Sequence, residues 1–287
     1  MPEIPEMQAL TNLVTRDLVG QEIERFEIAQ LSALKTYKPS TDDFKGAVIE
    51  GASRRGKYLQ IKTTAGYCVI HLSRGGWVQF NATTSDKKLK LGKGPMSARL
   101  AFTDGTSLSV TEAGKEKRLS IWLVNDPDEI ENVRTLGPEP LADDFDVAAL
   151  REVLAGAGRT ALKNMLINQR TIAGIGNAWS DEILHLAKLS PFKPSNKLSD
   201  DEIETLFNAV RDTLNGANER LAGESAKDLK DSKRAELRVH ARAGEKCVVC
   251  GDTIRSVFYV SKHLEYCPTC QTGGKVLADR RLSRLLK

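Results

Sequence analysis

Four cysteines near the C-terminus constrain this chain more than any other feature. Cys247 and Cys250 form one CxxC pair, Cys267 and Cys270 a second, and sixteen residues separate the pairs. Each pair presents two thiolates to one ion, and two pairs complete a tetrahedral four-sulfur site of the kind that holds structural zinc. Two disulfides or a redox pair are the alternatives. The paired spacing and a cytosolic setting favour one Zn2+. Gly251 follows the first pair, where a tight turn calls for positive φ. The intervening TIRSVFYVSKHLEY is strand-like. The expectation is a β-hairpin clamped by zinc, with the metal supplying most of the folding energy of so small a core. The fifth cysteine, Cys68, lies in the apolar run YCVIHL and reads as a core residue.

The chain has 287 residues, 40% hydrophobic and 28% charged, which suits a soluble globular protein of two or three domains. No apolar run reaches the roughly 18 residues a membrane span needs. The start, MPEIPEMQAL, lacks the basic and apolar pattern of a signal peptide, so a cytoplasmic protein is expected. The net charge of +4 is unevenly placed: residues 227–287 hold 14 Lys and Arg against 7 Asp and Glu, so the body before them is slightly acidic. A basic C-terminal segment points to a polyanionic partner, or is a solvated tail.

Along the chain, Pro5 suits the N1 position of a helix. Met7, Leu10, Leu13, Val14 and Leu18 then recur at helical spacing, and Gly20 suits its end. The next hundred residues are rich in strand candidates: YLQIKTT, GYCVIHL, ARLAFT, SLSVTE and SIWLV, with Asp104-Gly105 as a hairpin turn between two of them. One helix and many short strands predict a β-sandwich or barrel with the helix packed on it. TLGPEPLADDFDVA reads as a linker. Helices are then predicted over Val147–Ala155, Leu162–Gln169, Ser180–Lys188 and Asp200–Leu214, the last with a Ser199/Glu202 capping box. The charged stretch Glu224–Glu236 reads as a loop.

Three clusters carry chemistry. Methionine before proline favours removal of Met1, which leaves Pro2 as a secondary α-amine. Such amines titrate near 7.7–8, so about a tenth is neutral at pH 7 and able to attack an electrophilic carbon and form an iminium. Glu3 beside it can protonate a leaving group. The plain reading of PEIPE is a helix lead-in. The second cluster is Gly174-Ile175-Gly176-Asn177 between two helices. Glycines that present N–H groups at a helix N-terminus bind phosphate, with Asn177 as a further donor and Lys163 one helix upstream. It also reads as an ordinary glycine turn. The third is Arg54-Arg55-Gly56-Lys57, basic residues running into a strand, either a phosphate contact or a surface edge.

In order along one chain, MPEIPE, RRGKYL, VIHL, QRTIAGIGNAWSDEIL and CxxC-x16-CxxCQ together resemble the formamidopyrimidine-DNA glycosylase/endonuclease VIII family over essentially the whole length. The resemblance implies an α+β multidomain fold. An N-terminal catalytic β-sandwich with one long helix occupies 1–134, a linker 135–148, a DNA-binding helix–two-turns–helix domain 149–236, and a zinc-finger β-hairpin with a basic tail 237–287. It implies a bifunctional glycosylase and abasic-site lyase of base-excision repair, acting on damaged double-stranded DNA as a bacterial, cytoplasmic monomer. Pro2 is then the nucleophile, Glu3 the acid, Glu6 a second active-site carboxylate and Lys57 a phosphate ligand beside the lesion. Asn177, Gly176 and Lys163 become phosphate contacts of the helical domain. A non-catalytic protein that recognises damaged or structured DNA on the same fold is the alternative.

The chain departs from the family pattern where the hole left by an extruded base is filled. Arg74, in HLSRGG, stands where relatives carry methionine. Arg118-Leu119 stands for their arginine–phenylalanine wedge, and Lys262 for the phosphate-binding arginine of the finger. Lysine keeps that charge but lacks the bidentate fork. These changes lean toward an endonuclease VIII-like or divergent actinobacterial-type member, and affect lesion choice more than reaction type.

Overall fold

The computed structural model describes residues 1–85, 87–92, 94–259 and 262–278. The chain forms two compact units, one of Met1–Thr135 with Arg220–Lys230, the other of Leu136–Glu219 with Asp231–Lys287.

The first unit begins with helix α1 (Ile4–Leu18), whose Met7, Leu10, Leu13, Val14 and Leu18 are all buried, as their spacing requires. Pro5 is its second residue, not its first. Eight strands follow: β1 (Ile23–Ile28), β2 (Ile49–Arg55), β3 (Tyr58–Thr63), β4 (Gly66–His71), β5 (Gly76–Asn81), β6 (Met96–Phe102), β7 (Ser107–Glu112) and β8 (Ser120–Val124), and then the short helix α2 (Glu131–Arg134). They make two four-stranded antiparallel sheets, ordered β1-β6-β7-β5 and β2-β3-β4-β8. Val78, Leu100 and Val110 from one sheet share a core with Ile61, Ile70 and Ile121 from the other and with Met7, Leu10 and Val14 of α1. This is a β-sandwich with its helix packed on β2 and β3. The Asp104-Gly105 turn joins β6 to β7: Gly105 has φ +85°, and Asp104 Oδ1 accepts from Thr106 N at 2.8 Å.

The second unit holds α3 (Val147–Ala157), α4 (Leu162–Ile167) and α5 (Asn177–Leu186), and most of α6 (Asp200–Leu221). The helix–two-turns–helix motif is α4, the turns through 168–176, and α5. After α7 (Leu229–Glu236) come the hairpin β9 (Arg255–Tyr259) and β10 (Lys262–Tyr266), and α8 (Pro268–Thr272).

Two expectations are corrected. The stretch 135–148 is packed, not a linker. Phe145 is 2% exposed and stacks on Phe207, and a Cβ on Gly137 would lie 2.6 Å from the Thr171 carbonyl carbon. Arg211 ties the stretch further, donating to the carbonyls of Ala142 and Phe145 at 3.3 Å each. Residues 224–236 are a loop only as far as 228, and 229–236 form helix α7. Leu221, Ala226 and Leu229 return to the sandwich core, Trp77 Nε1 donates to the Ala226 carbonyl at 2.7 Å, and Lys230 Nζ lies 4.4 Å from the Trp77 ring centre. Three apolar residues in a polar stretch are too few to show a period, yet enough to anchor it. Leu229→Ala is accordingly expected to destabilise the sandwich by about 2–5 kcal/mol, read as a lowered denaturation midpoint; a loop residue would leave the midpoint unchanged.

Candidate functional site

In the first unit, Pro2 and Glu3 lie buried just ahead of α1, and Met1 is half exposed. Glu3 is the N-cap. Its N–H donates to Glu6 Oε2 at 2.7 Å, and its carbonyl accepts from Met7 N at 2.9 Å. Glu6 therefore fixes the backbone of Glu3, and both carboxylates sit at the positive end of the helix dipole. Lys57 follows Gly56 (φ +56°) in the β2–β3 turn and is only 4% exposed. Arg54 Nε donates to Gln8 Oε1 at 3.1 Å and ties this hairpin to α1. This unit thus buries Glu3 and Glu6 at the start of the chain and also buries Lys57, charged groups whose burial is costly and common at reactive sites. His71 lies against Tyr58, ring centres 4.8 Å apart, and burial, then the charge of Lys57, pushes it down to about 4.

Arg74 and Arg118 line one open pocket, formed by residues 73–75 and the 112–118 loop. Glu112 shapes that loop: its Oε1 accepts from Arg118 N at 2.8 Å and from Leu119 N at 3.0 Å. Gly75 and Gly76 are required by close approach, since a Cβ would lie 2.3 Å from the Ala113 oxygen and 2.1 Å from that of Leu72. Arg118 is exposed and pairs with Glu116 at 3.0 Å. Leu119 does not project as a wedge: it is 1% exposed and belongs to the sandwich core.

In the second unit, the turn before α5 is held by Gln169. Its Nε2 donates to the Ile175 carbonyl at 2.7 Å, and its Oε1 accepts from Gly174 N at 2.9 Å. Gly174 has φ +82°, and Gly176 is the N-cap of α5. Asn177 opens the helix, its Nδ2 donating to the His263 carbonyl at 2.8 Å. Lys163 is corrected. It is not a surface phosphate ligand, because its ammonium is 4% exposed and committed to the Asn177 carbonyl at 2.7 Å, Ser180 Oγ at 2.8 Å and Asp181 Oδ1 at 2.6 Å. An ammonium has three protons, and all three are used.

Beyond Asp181 the network continues to residues that the sequence did not single out. His240 Nδ1 lies 2.7 Å from Asp181 Oδ2 and 3.1 Å from Glu265 Oε2. Burial opposes its charge, but the hydrogen bonds and charges of the two carboxylates outweigh burial and hold the imidazolium up at about 9. Glu182 accepts the backbone N–H groups of Arg238, Val239 and His240 at 2.8–3.0 Å. Helical spacing from Asn177 to Asp181 was a signal of a shared face; nothing in the sequence paired either acid with residues 238–240.

The sulfur atoms of Cys247, Cys250, Cys267 and Cys270 lie within 4.8 Å of one another. Zinc at the usual Zn–S length of about 2.3 Å spaces four thiolates by about 3.8 Å. The pairs Cys250–Cys267 and Cys247–Cys270 stand 3.3 and 3.9 Å apart, so the set fits one structural Zn2+. Gly251, at φ +76°, turns the first pair, and Cys247 and Cys267 are themselves core residues with Val239 and Ile254. Burial pushes Cys267 up to about 11 and Cys270 higher, so metal binding here releases protons. Lys262 pairs through its backbone with Tyr259; its side chain lies outside the described residues, as do residues 279–287 of the basic tail. No helix among the described residues is long and apolar enough to cross a membrane.

Family models match the chain in three places. The formamidopyrimidine-DNA glycosylase N-terminal domain matches residues 1–118, the formamidopyrimidine-DNA glycosylase H2TH domain 136–228, and the zinc finger found in FPG and IleRS 244–273. The formamidopyrimidine-DNA glycosylase of Symbiobacterium thermophilum is 31% identical over 293 residues, 98% of this chain and 93% of the relative. An uncharacterised formamidopyrimidine-DNA glycosylase-like protein of Mycobacterium tuberculosis is 53% identical over 155 residues, 54% of this chain and 96% of the relative. Among solved structures, the Lactococcus lactis enzyme in complex with DNA containing an abasic site matches with a TM-score of 0.83 at 27% identity, covering 94% of this chain and 99% of that one. The same enzyme with Fapy-dG DNA gives 0.83 and 27%, covering 94% and 100%.

Two histidines are expected to titrate far apart, His71 near 4 and His240 near 9. The neutral form of His71 favours the fold, so its stabilisation is complete above the ordinary 6.5 and fades as pH falls towards 4. The charged form of His240 favours the fold, so its stabilisation is complete below 6.5 and is lost as pH rises through about 9. Imidazole nitrogen NMR of the two assigned side chains checks both. Metal analysis is expected to find one zinc per chain, and Cys250→Ser to lose it along with the 247–270 hairpin signals.

Proposed function

The chain belongs to the formamidopyrimidine-DNA glycosylase family, and from that premise we propose that it is a bifunctional DNA glycosylase and abasic-site lyase acting on damaged double-stranded DNA. The observation that carries this reading is the start of the chain: Pro2 and Glu3 are buried at the mouth of α1 in the same unit as the buried Lys57. Capping α1 accounts for the Glu3–Glu6 pair, and not for a buried lysine in the same unit.

Removal of Met1 makes Pro2 a free secondary amine. The target base must first leave the stack, since its glycosidic bond is shielded within the duplex. The amine then attacks C1′, the C1′–base bond breaks with its electron pair leaving on the base, the amine's proton passes to the departing base, and Glu3 supplies a proton to the sugar ring oxygen as the ring opens to an iminium. The iminium withdraws electrons and acidifies the protons on C2′. Loss of one of them expels the 3′ phosphate, so one nucleophile accounts for both base removal and strand scission. Glu6 keeps Glu3 in place through its bond to the Glu3 N–H. Lys57 holds the phosphate beside the lesion. Gly176 and Asn177, at the N-terminus of the ten-residue α5, take a second phosphate through backbone N–H groups and the helix dipole. Lys262 contributes charge from the zinc hairpin, whose Zn2+ is structural. Arg74 and Arg118, on one pocket, enter the space an extruded base leaves. The Lactococcus lactis relative binds DNA with an abasic site or Fapy-dG. For this chain oxidised pyrimidines, ring-opened purines and abasic sites are the proposed substrates.

Borohydride reduction on lesion-bearing duplex tests the chemistry. With Met1 verified absent, a covalent protein–DNA adduct is expected. Glu3→Gln is expected to slow excision of a damaged base by about 10²-fold or more, in keeping with loss of a general acid, with affinity for abasic-site DNA nearly unchanged. No adduct across a panel of lesions, from protein that still binds them, would leave a non-catalytic DNA-binding protein.

A further inference from the structure

His240 joins two elements of the second unit. Its Nδ1 meets Asp181 of α5 and Glu265 of β10. Lys163 of α4 closes the set on the other oxygen of Asp181. Two cations and two carboxylates, all half-buried or better, balance in charge. Three ligand-type side chains converge here, but the distances describe a shared proton, not a metal. The ring nitrogen hydrogen-bonds Asp181 Oδ2 at 2.7 Å and forms an ion pair with Glu265 Oε2 at 3.1 Å, and the Lys163 ammonium stands 2.6 Å from Asp181. Also facing Glu265 are Ser256 Oγ of β9, at 3.3 Å, and the backbone N–H of Ala241.

The consequence lies two residues away on β10, where the His263 carbonyl accepts from Asn177 Nδ2. The His240 bridge sets how β10 meets the first turns of α5. We propose that His240 is a positioning residue which locks the zinc hairpin to the 174–177 turn, so that the two elements grip the DNA backbone as one surface. This rests on the reading of that turn and hairpin as phosphate-binding elements. Removing the imidazolium leaves Asp181 and Glu265 facing each other with only Lys163 to balance them, and like charges at that separation push the strand away from the helix.

The test uses the full-length, zinc-loaded protein and a duplex carrying a tetrahydrofuran abasic analogue, which cannot be cleaved. Affinity is measured over a series of salt concentrations, because the slope of log K against log salt counts phosphate contacts at about 0.9 each. For His240→Gln the slope is expected to become shallower by about 1–2, with at least about 10-fold weaker binding near 0.1 M salt. Zinc content, and the borohydride-trapping rate measured at saturating protein on a separate duplex with a natural abasic site, should match wild type. Adding Glu265→Gln restores charge balance and allows an amide–amide bond, so H240Q/E265Q should recover most of the slope. A purely structural role would lower the melting temperature and leave the slope alone, and that result overturns the proposal. Should H240Q lose zinc, the double variant decides by the same slope, a full loss in zinc-loaded protein counting against the proposal. Wild type that fails to bind the duplex overturns the DNA-binding reading itself, a separate outcome.

Discussion

A carboxylate withdrawn from water has to be compensated, and the second unit is organised around the compensation of Asp181. Its side chain is 1% exposed and meets Lys163 at 2.6 Å and His240 at 2.7 Å. Those contacts reach from α5 to α4 and to the segment that leads into the zinc finger. Removing either partner strands a charge in the interior, which costs several kcal/mol in comparable cases, whereas the balanced set is close to neutral in free energy. Such a network therefore specifies an arrangement more than it adds stability. Helix α5 carries the rest of the joint as well. Glu182 caps three backbone N–H groups of 238–240, and His185 lies 3.3 Å from the Cys247 sulfur.

The same device recurs at three places where the backbone leaves regular structure. Glu6 takes the N–H of Glu3, Glu112 takes two N–H groups of the 112–119 loop, and Asp252 Oδ2 takes the Thr269 hydroxyl between the two cysteine pairs at 2.9 Å. Irregular segments cannot satisfy their donors in a ladder, so carboxylate side chains do it for them. The segments shaped this way are those that carry Pro2 and Glu3, Arg118, and the zinc ligands.

Much of the architecture was legible from spacing alone. The period of α1, the Asp-Gly turn of the β6–β7 hairpin, five of the eight strands of the sandwich and the paired cysteines express local rules in their residues. The misreadings share one cause, that burial is not written locally. Lys163 read as a phosphate contact of the helical domain; only the fold shows Asp181 and Ser180 closing around it. Leu119 looked free to project, and the sandwich core takes it instead. The acidic, proline-rich 135–148 stretch satisfied every cue for a linker, yet Phe145 and Gly137 are packed against residues far along the chain. His240 carried no signal, because its importance depends on two acids 59 and 25 positions away.

The return of residues 220–230 to the sandwich has a consequence for how the protein is made. The Trp77–Ala226 bond spans 149 positions, and Leu221 and Leu229 complete a core begun by Met7 and Leu10. A ribosome therefore releases the unit that bears Pro2 first and its last core residues only after most of the other unit has emerged. Contacts this distant in sequence form late and slowly. The two units are thus sewn into one order of assembly, in which the end of the chain that holds the proposed nucleophile waits, unfinished, for a piece of the helical region to arrive.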